Sequence, residues 1–403
     1  MKRRAMISMS AATLAAPIIG QAQAPTVVKW WYHFDNPQAS PADLIAKFER
    51  ENPGIKIQAE SIPWGGGNDY YTRLYAALVA GTAPDCAMVK LGNQSRLLQM
   101  KALEPLDGYL AKWAGQQDIS ANLWKMHRAT DGKSYYMPLQ YVVLYLYYRT
   151  DLLASAGVQP PKTFDDFLKV SQAVNKGDVS AFGMRGGAGG HDHWGSFVLG
   201  GGANFDKGGM VTAKALAANR WFVELGTKHK VFPASAPTDG FRQIVDNFKA
   251  GRTAMTIHHI GSANEMVQAL GDKVSAVPVP AGPDGKGWTS FGDESNAVFA
   301  SSRAKDAAFR WCAFLSTGEN NVAFNAFTGQ LSVTNSGAAK WTLHPKRFVD
   351  ATANSTAFMD VLPNDTKTAD FTRTVWPQNM QRALLGQITP DAMMQGFEKH
   401  FHG

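Results

Sequence analysis

Cysteine is nearly absent from this 403-residue chain, which contains only Cys86 and Cys312. So few cysteines exclude a fold built on a framework of several disulfides. Each of the two lies in an apolar segment, where a cysteine can serve as a small buried hydrophobic residue. The sequence does not show whether they come within bonding distance, so a disulfide between them stays open.

Charge of either sign is also sparse. Charged residues make up 18% of the chain, and no block of five or six like charges occurs. The formal net charge of +7 falls to +4 without the three cations at positions 2–4. This mild balance gives no indication of nucleic-acid binding. Apolar residues make up 45% of the chain, which is typical of a well-buried globular protein.

The common catalytic signatures are missing. There is no H-E-x-x-H, no G-x-S-x-G elbow and no Walker A loop. The pairs His191/His193 and His258/His259 lack a plausible third ligand for a zinc site. The glycine run 186–190 lacks the strand–turn–helix context of a dinucleotide site. We therefore predict no catalytic residues, no metal and no cofactor, although the adjacent acids at 293–294 leave a glycosidase open as an alternative.

The first 24 residues have the pattern of a secretory signal peptide. Three cations precede a mostly apolar stretch over residues 5–20, and Ala22-Gln23-Ala24 fits an A-x-A cleavage site. The apolar stretch is short and interrupted by Pro17, so it does not predict a permanent membrane anchor. No cysteine lies near the cleavage site, so no lipid anchor is indicated. We expect a periplasmic protein, with the export route left open by the adjacent arginines at 3–4.

The remaining 379 residues are too many for one ordinary core and predict two domains. β-Forming residues predict strands over 27–32, 55–59 and 86–89. Capping and breaker residues place helices between them, over 41–49 and from residue 70 onward. The order β-α-β-α-β predicts an α/β fold with a mostly parallel sheet and right-handed crossovers.

The helix that starts near residue 70 is the most informative local pattern. Its apolar residues follow the helical spacing i, i+3, i+4 and i+7 at Tyr71, Leu74, Tyr75 and Leu78. Gly81 suits the position just past a helix end, and Pro84 prevents continuation. Asp85 lies in the tight G-T-A-P-D turn, where we expect it to bond backbone N–H groups rather than a ligand.

This G-T-A-P-D segment and several others resemble, in the same order, the extracellular (periplasmic) solute-binding proteins of carbohydrate ABC importers. The group includes maltose-, maltooligosaccharide- and glycerol-3-phosphate-binding proteins. No single segment is specific, but together they cover the chain after its leader. The matching segments are residues 70–85, 132–138, 144–167, 248–257, 277–283, 302–315 and 386–392.

The resemblance implies a two-lobed Venus-flytrap fold with hinge crossovers between the lobes. It implies an N-terminal lobe of residues 25–142 and 292–331, and a C-terminal lobe of residues 143–291 and 332–403. It also implies a monomer that captures a sugar in the cleft, without catalysis, and delivers it to the membrane permease. An anionic ligand such as a glycerol phosphate, a phosphodiester or a sugar acid remains the alternative within this class. A secreted carbohydrate-active enzyme is the alternative outside it.

Sugar binding requires aromatic faces for the ring and planar polar groups for the hydroxyls. In open α/β sheets, ligands bind beyond the carboxyl ends of the strands. We therefore chose polar and aromatic residues that follow predicted strands, together with a polar, flexible loop predicted over residues 185–194. The candidate ligand contacts are Trp31, His33, Trp64, Asn68, Asp69, Lys90, Asn93, Gln94, Tyr141, Arg185, His191, Trp194, His259, Gly261, Asp293 and Glu294.

Overall fold

The computed structural model describes residues 24–34, 40–63, 68–119, 121–363 and 365–403. The leader falls almost entirely outside this part of the chain. The strands are β1 Thr26–Tyr32, β2 Ile55–Ser61, β3 Cys86–Val89, β4 Tyr136–Arg149, β5 Ser180–Gly183, β6 Thr253–His259, β7 Val274–Val277, β8 Thr289–Val298, β9 Leu331–Ser332 and β10 Met359–Asp360.

The helices alternate with these strands along the chain. They are α1 Ala42–Glu51, α2 Asn68–Ala80, α3 Gln94–Gln99, α4 Asp107–Leu110, α5 Ala121–His127, α6 Thr150–Ser155, α7 Phe164–Val174, α8 His191–Val198, α9 Ala213–Thr227, α10 Phe241–Lys249, α11 Ala263–Leu270, α12 Lys305–Leu315, α13 Gly318–Thr328, α14 Asn335–Ala339, α15 Lys346–Ser355, α16 Thr366–Asp370, α17 Trp376–Leu384 and α18 Pro390–His402.

The predicted β-α-β-α-β unit is present at the start of the described chain. β1 pairs in parallel with β2 on one side and with β3 on the other. The strand order continues as β2-β1-β3-β8-β4-β6-β5, and β5 is parallel to β6. The α/β fold class predicted from the sequence is thus confirmed.

The expectation of a mostly parallel sheet is wrong for the sheet as a whole, because two long strands make it mixed. β8 runs antiparallel to β3 and to the first half of β4. The second half of β4 pairs antiparallel with β6 and β7. β4 and β8 therefore cross from one part of the molecule to the other, at the pairs Gln140–Glu294 and Tyr141–Asp293.

Hydrophobic cores lie on both sides of this crossing. We call the part around β1, β2 and β3 the first lobe and the part around β5, β6 and β7 the second lobe. In each lobe the buried residues form separate clusters on the two faces of the sheet. Helices cover both faces, which is the arrangement that parallel strands require.

Local sequence signals explain several of the boundaries. Gly81 ends α2 with a φ of +71°, a backbone conformation that suits glycine. Thr163 and Asp166 form a reciprocal capping box at the start of α7, as their spacing predicts. Asp85 accepts a hydrogen bond from the Lys29 backbone N–H at 2.8 Å and from the Ser302 hydroxyl at 2.6 Å. Asp85 therefore joins β1 to the segment before α12, in the structural role expected of it.

Within the described residues, no helix combines the length and apolar character that a membrane crossing requires. Over the same residues, no group of three or more His, Cys, Asp or Glu side chains is placed to hold a metal ion.

Candidate functional site

A buried group of opposite charges lies where the first-lobe strands end. Glu294 of β8 is 5% exposed. One oxygen of its carboxylate pairs with Lys90 Nζ, and the other lies 3.2 Å from His33 Nε2. Burial raises the pKa of Glu294, but Lys90 and His33 outweigh burial and hold that pKa below its usual value. The Glu294 side chain is thus a fixed anion at this edge of the sheet.

The aromatic residues of α2 position this group. The Tyr71 hydroxyl accepts a hydrogen bond from the Lys90 backbone N–H at 2.7 Å. The Tyr70 hydroxyl donates to the Met88 carbonyl at 2.7 Å, and the Tyr70 ring meets His33 edge-on at 4.8 Å. The same helix that packs into the first-lobe core therefore sets the places of Lys90 and His33.

Asp293 lies beside Glu294 but points into a separate network. It is 3% exposed and accepts a hydrogen bond from the Leu91 backbone N–H at 2.8 Å. Its other oxygen contacts the Ser295 hydroxyl at 2.9 Å and His127 Nε2 at 2.8 Å. His127 Nδ1 faces the Leu123 carbonyl at 2.7 Å. Both ring nitrogens thus lie within hydrogen-bonding distance of oxygen atoms.

On the second lobe, His259 at the end of β6 forms the centre of another polar group. Its Nδ1 lies 3.1 Å from the Gly261 backbone N and 3.2 Å from Gln330 Nε2. The Phe241 ring stacks on the His259 ring at 5.8 Å. A Cβ on Gly261 would lie 2.4 Å from Gln330 Nε2, so a larger residue there would displace the Gln330 amide from His259.

Arg185 and the start of α8 extend this second-lobe group. The Arg185 backbone N–H donates to His193 Nδ1 at 3.2 Å, and His193 Nε2 lies 2.9 Å from the Ile257 carbonyl. The Arg185 guanidinium lies 5.9 Å from the Phe241 ring centre. His191 Nε2 lies 3.3 Å from a carboxylate oxygen of Asp192. Arginine, histidine and aromatic side chains thus share one surface of the second lobe.

The two lobes approach each other at these groups. Burial lowers the pKa of His259 to about 4, with further lowering by the positive charges of Lys90 and Arg185. Lys90 belongs to the first lobe and Arg185 to the second, so cations of both lobes lower the pKa of His259. Nearby, α16 of the second lobe packs against Leu91–Asn93 of the first. We define the cleft cluster as His33, Lys90, Arg185, His259, Gln330 and Glu294.

Five of the sixteen residues selected from the sequence belong to the cleft cluster: His33, Lys90, Arg185, His259 and Glu294. Three more lie directly beside it: His191, Gly261 and Asp293. Most of these residues come together because strand ends from different parts of the chain meet at one edge of the sheet, and their contact with a ligand stays a prediction.

The structure corrects the expectation for two of the other residues, Trp194 and Gln94. Trp194 is fully buried in the second-lobe core, and its Nε1 donates to Asn219 Oδ1 at 2.8 Å. Gln94 is also fully buried, and its amide donates to the His127 carbonyl. Trp31 is 8% exposed, with the Arg73 guanidinium 4.9 Å from its ring. Trp194 and Gln94 therefore serve internal packing, whereas Trp31, which is more exposed than Glu294, stays a predicted ligand contact.

The flexible loop expected over residues 185–194 is also incorrect in its second half. Residues from His191 onward form α8, so Trp194 faces the core on a helix. The sequence did not indicate this helix start, because the glycine run 186–190 before it is typical of a loop. A Cβ on Gly190 would lie 1.8 Å from the Arg185 carbonyl, so the glycines there allow close packing of the backbone.

The remaining selected residues lie at the margin of the cleft cluster or outside the described part. The side chain of Asn93 accepts a hydrogen bond from the Tyr75 hydroxyl at 2.8 Å. Tyr141 lies at the strand crossing, where burial raises its pKa to about 12. Asp69 is exposed in the first turn of α2. Trp64 and the side chain of Asn68 lie outside the described residues.

The sequence argument missed four residues that shape the site: Tyr71, His127, Phe241 and Gln330. Tyr71 was read only as part of an apolar stripe, although a tyrosine hydroxyl that is buried needs a partner. The other three come from a helix end, a helix start and a turn. No strand precedes them directly, so the strand-end argument could not find them.

A separate cavity of about 690 Å³ lies on the first lobe. It is bordered by α1, α4 and α12, with Phe48, Tyr109, Trp113 and Phe309 in its wall. No residue of its lining belongs to the cleft cluster. Because it lies apart from the ends of the strands, we do not include it in the candidate site.

The second-lobe histidines predict a loss of stability in acid. Burial, with help from Arg185, lowers the pKa of His193 to about 3. An unfolded histidine titrates near about 6.5. Between these values the unfolded chain binds more protons, so the free energy of unfolding falls as the pH decreases. We expect a loss of up to about 1.4 kcal/mol per pH unit for each such histidine below about pH 6.5.

Denaturant unfolding at pH 7.5, 6 and 5 measures this dependence. A His193→Gln variant should have a shallower decline than the unaltered protein. Equal slopes for the unaltered protein and His193→Gln would show that His193 does not contribute.

The sequence of this chain is similar to those of known binding proteins. The family model described as "Bacterial extracellular solute-binding protein" matches residues 34–322. A protein of Brucella abortus named as a binding protein is 28% identical over 366 residues, covering 86% of this chain and 85% of that protein. The maltodextrin-binding protein MdxE of Bacillus subtilis is 27% identical over 329 residues, covering 74% and 71%.

Solved structures share the fold at lower identity. Maltose-bound MalE3 of T. maritima has a TM-score of 0.81 at 18% identity, covering 93% of this chain and 99% of that one. The sugar-binding protein MalE of Xanthomonas citri has a TM-score of 0.79 at 23% identity, covering 93% and 96%. These likenesses confirm the two-lobed architecture that the sequence predicted.

Proposed function

Because the chain belongs to the bacterial extracellular solute-binding proteins, we propose that it is the ligand-capturing component of an ABC importer for a sugar or oligosaccharide. One observation carries the proposal. The cleft cluster brings polar side chains from both lobes to the strand ends next to the β4–β8 crossing. This is where a ligand held between two lobes of such a fold would lie.

The chemistry of the cleft cluster suits hydroxyl groups. Glu294 supplies acceptor oxygens, Lys90 and Arg185 supply donors, and His259 and Gln330 supply both kinds of group. Phe241 offers an aromatic face beside them. We propose that the ligand contacts the cleft cluster and Phe241, together with Trp64, Asn68, Asp69, Asn93, His191 and the Gly261 backbone.

The first-lobe part of the cleft cluster favours a neutral ligand, whereas Arg185 on the second lobe adds a positive charge that would suit an anionic one. Lys90 is the first-lobe cation of the cleft cluster, and its charge is balanced by the buried Glu294 carboxylate. Binding of a neutral sugar should therefore change little when the salt concentration rises. A steep loss of affinity with salt would instead favour a glycerol phosphate, phosphodiester or sugar acid.

The ligand is captured by closure of the two lobes. We propose that the N-terminal lobe comprises residues 25–142 and 292–331 and the C-terminal lobe the rest of the mature chain, with the hinge at the β4–β8 crossing. A ligand that touches both lobes has a higher affinity for the closed form and so shifts the population toward it. The closed form then docks on the membrane permease, while catalysis plays no part.

We further propose that the leader is removed after Ala24 and that the mature protein is a periplasmic monomer without a lipid anchor. The leader pattern supports export, and the family is described as extracellular.

A ligand screen tests the function directly. Calorimetry and thermal-shift assays with maltose, maltodextrins, monosaccharides, glycerol 3-phosphate and sugar acids should identify a ligand with a Kd in the micromolar range, about −8 kcal/mol. X-ray scattering should then record a smaller radius of gyration on addition of that ligand. If no carbohydrate stabilises or compacts the protein, the sugar proposal fails. Product release from an oligosaccharide, abolished by Glu294→Gln, would instead support the enzyme alternative.

A further inference from the structure

The two cysteines occupy the same first-lobe core although they are 226 positions apart in the sequence. Cys86 is the first residue of β3 and is fully buried. Cys312 lies within α12 and is 1% exposed. Both thiols are free in this structure.

The packing of their neighbours brings the two segments that carry the cysteines together. Cys86 is the register partner of Trp30 on β1. Trp311, the residue before Cys312, meets the Trp30 ring edge-on at 5.3 Å. The helix α12 packs on both β1 and β3. Burial raises the pKa of the Cys86 thiol, and the neighbouring Cys312 thiol raises it further.

We propose that Cys86 and Cys312 are joined by a disulfide in the exported protein, an inference that rests on the export included in the proposed function. The step is an exchange between two thiols of this chain and the disulfide of a thiol oxidoreductase. The Cys86–Cys312 bond forms, the oxidant's S–S bond breaks, and two electrons and two protons pass to the oxidant's sulfurs.

Two features favour this pairing over other outcomes. The chain contains no third cysteine, so the only disulfide within one molecule is Cys86–Cys312. Both sulfurs are buried in the folded state, so the exchange takes place while the chain folds after export. An oxidising compartment allows the bond to persist once formed.

The bond would link α12 directly to the strand that presents the site. β3 leads into Lys90 and then into Leu91, whose N–H bonds Asp293. A covalent link at the start of β3 would fix the position of this strand against the core. It would also lower the conformational entropy of the unfolded chain, because it closes a long loop. We expect reduction to lower the melting temperature of the unaltered protein and to leave that of Cys312→Ser unchanged.

Alkylation under denaturing conditions tests the proposal. The full chain is produced with its own leader, isolated from the periplasm and unfolded in iodoacetamide without reductant. We expect an intact mass with the leader removed and no carbamidomethyl group added, and two added groups after prior reduction. Cys312→Ser should take up one group with or without reductant. A processed protein that takes up two groups without reductant would overturn the disulfide.

The same mass spectrum separates failure of export from failure of the bond. Retention of the leader would contradict the proposed export. A second assay would then test whether the two thiols form the bond. There the reduced, unfolded chain is refolded in a mixture of reduced and oxidised glutathione. Formation of the intramolecular bond supports the pairing, and recovery of a folded protein with two free thiols overturns it.

Discussion

Replacement of Glu294 by alanine is expected to weaken ligand binding by about 30-fold or more, the equivalent of at least about 2 kcal/mol. The carboxylate is buried between Lys90 and His33, and it holds both side chains at the cleft. Without it, Lys90 would turn toward solvent and His33 would lose its charged partner. Calorimetric titration with the ligand found in the screen measures the loss.

A matched control and a double variant show how Glu294 acts. Glu49 on α1 also pairs with a lysine, Lys56, and accepts a hydrogen bond from the Ile57 backbone N–H. Glu49→Ala should therefore bind the ligand normally. If Glu294 acts through Lys90, the double variant Glu294→Ala/Lys90→Met should bind no more weakly than Lys90→Met alone. Normal affinity in Glu294→Gln and Glu294→Ala would remove this side chain from the site.

Much of the fold could be predicted because its signals are local. The limits of α2 follow from an apolar stripe and a glycine that adopts a positive φ, and the start of α7 follows from one capping box. The strands β1, β2 and β3 were found from their composition and spacing. Local patterns did not predict the length of β4. This strand continues from the first lobe into the second as one strand of 14 residues.

The site was predictable only in part, and the reason is geometric. His33, Lys90 and Glu294 follow or belong to strands that meet at one edge, so a rule about strand ends brings them together. Gln330 lies in a turn and Phe241 at the start of a helix, and both contact His259. No single sequence pattern predicts that residues in such different positions come together. Trp194 was misplaced because a glycine-rich run looks like a loop, whereas here it precedes a buried helix.

The effect of Asp293 on stability should be the largest of any single side chain at the crossing. Asp293→Ala is expected to lower the free energy of unfolding by about 3–5 kcal/mol, because it removes the buried carboxylate that faces His127 Nε2. The Leu91 N–H and the Ser295 hydroxyl would lose their acceptor as well. Urea unfolding followed by circular dichroism measures the change.

A surface acid provides the control for this variant. Asp350 pairs with Lys346 at an exposed position, so Asp350→Ala should change the free energy of unfolding by no more than about 0.5 kcal/mol. Asp293→Asn keeps an acceptor for the Leu91 N–H but loses the charge, so we expect a value between those of the two alanine variants. Equal urea midpoints for Asp293→Ala and the unaltered protein would contradict this account. Because Asp293 joins β8 to the backbone of Leu91, the residue after Lys90, a measured loss would show that this network stabilises the end of β3.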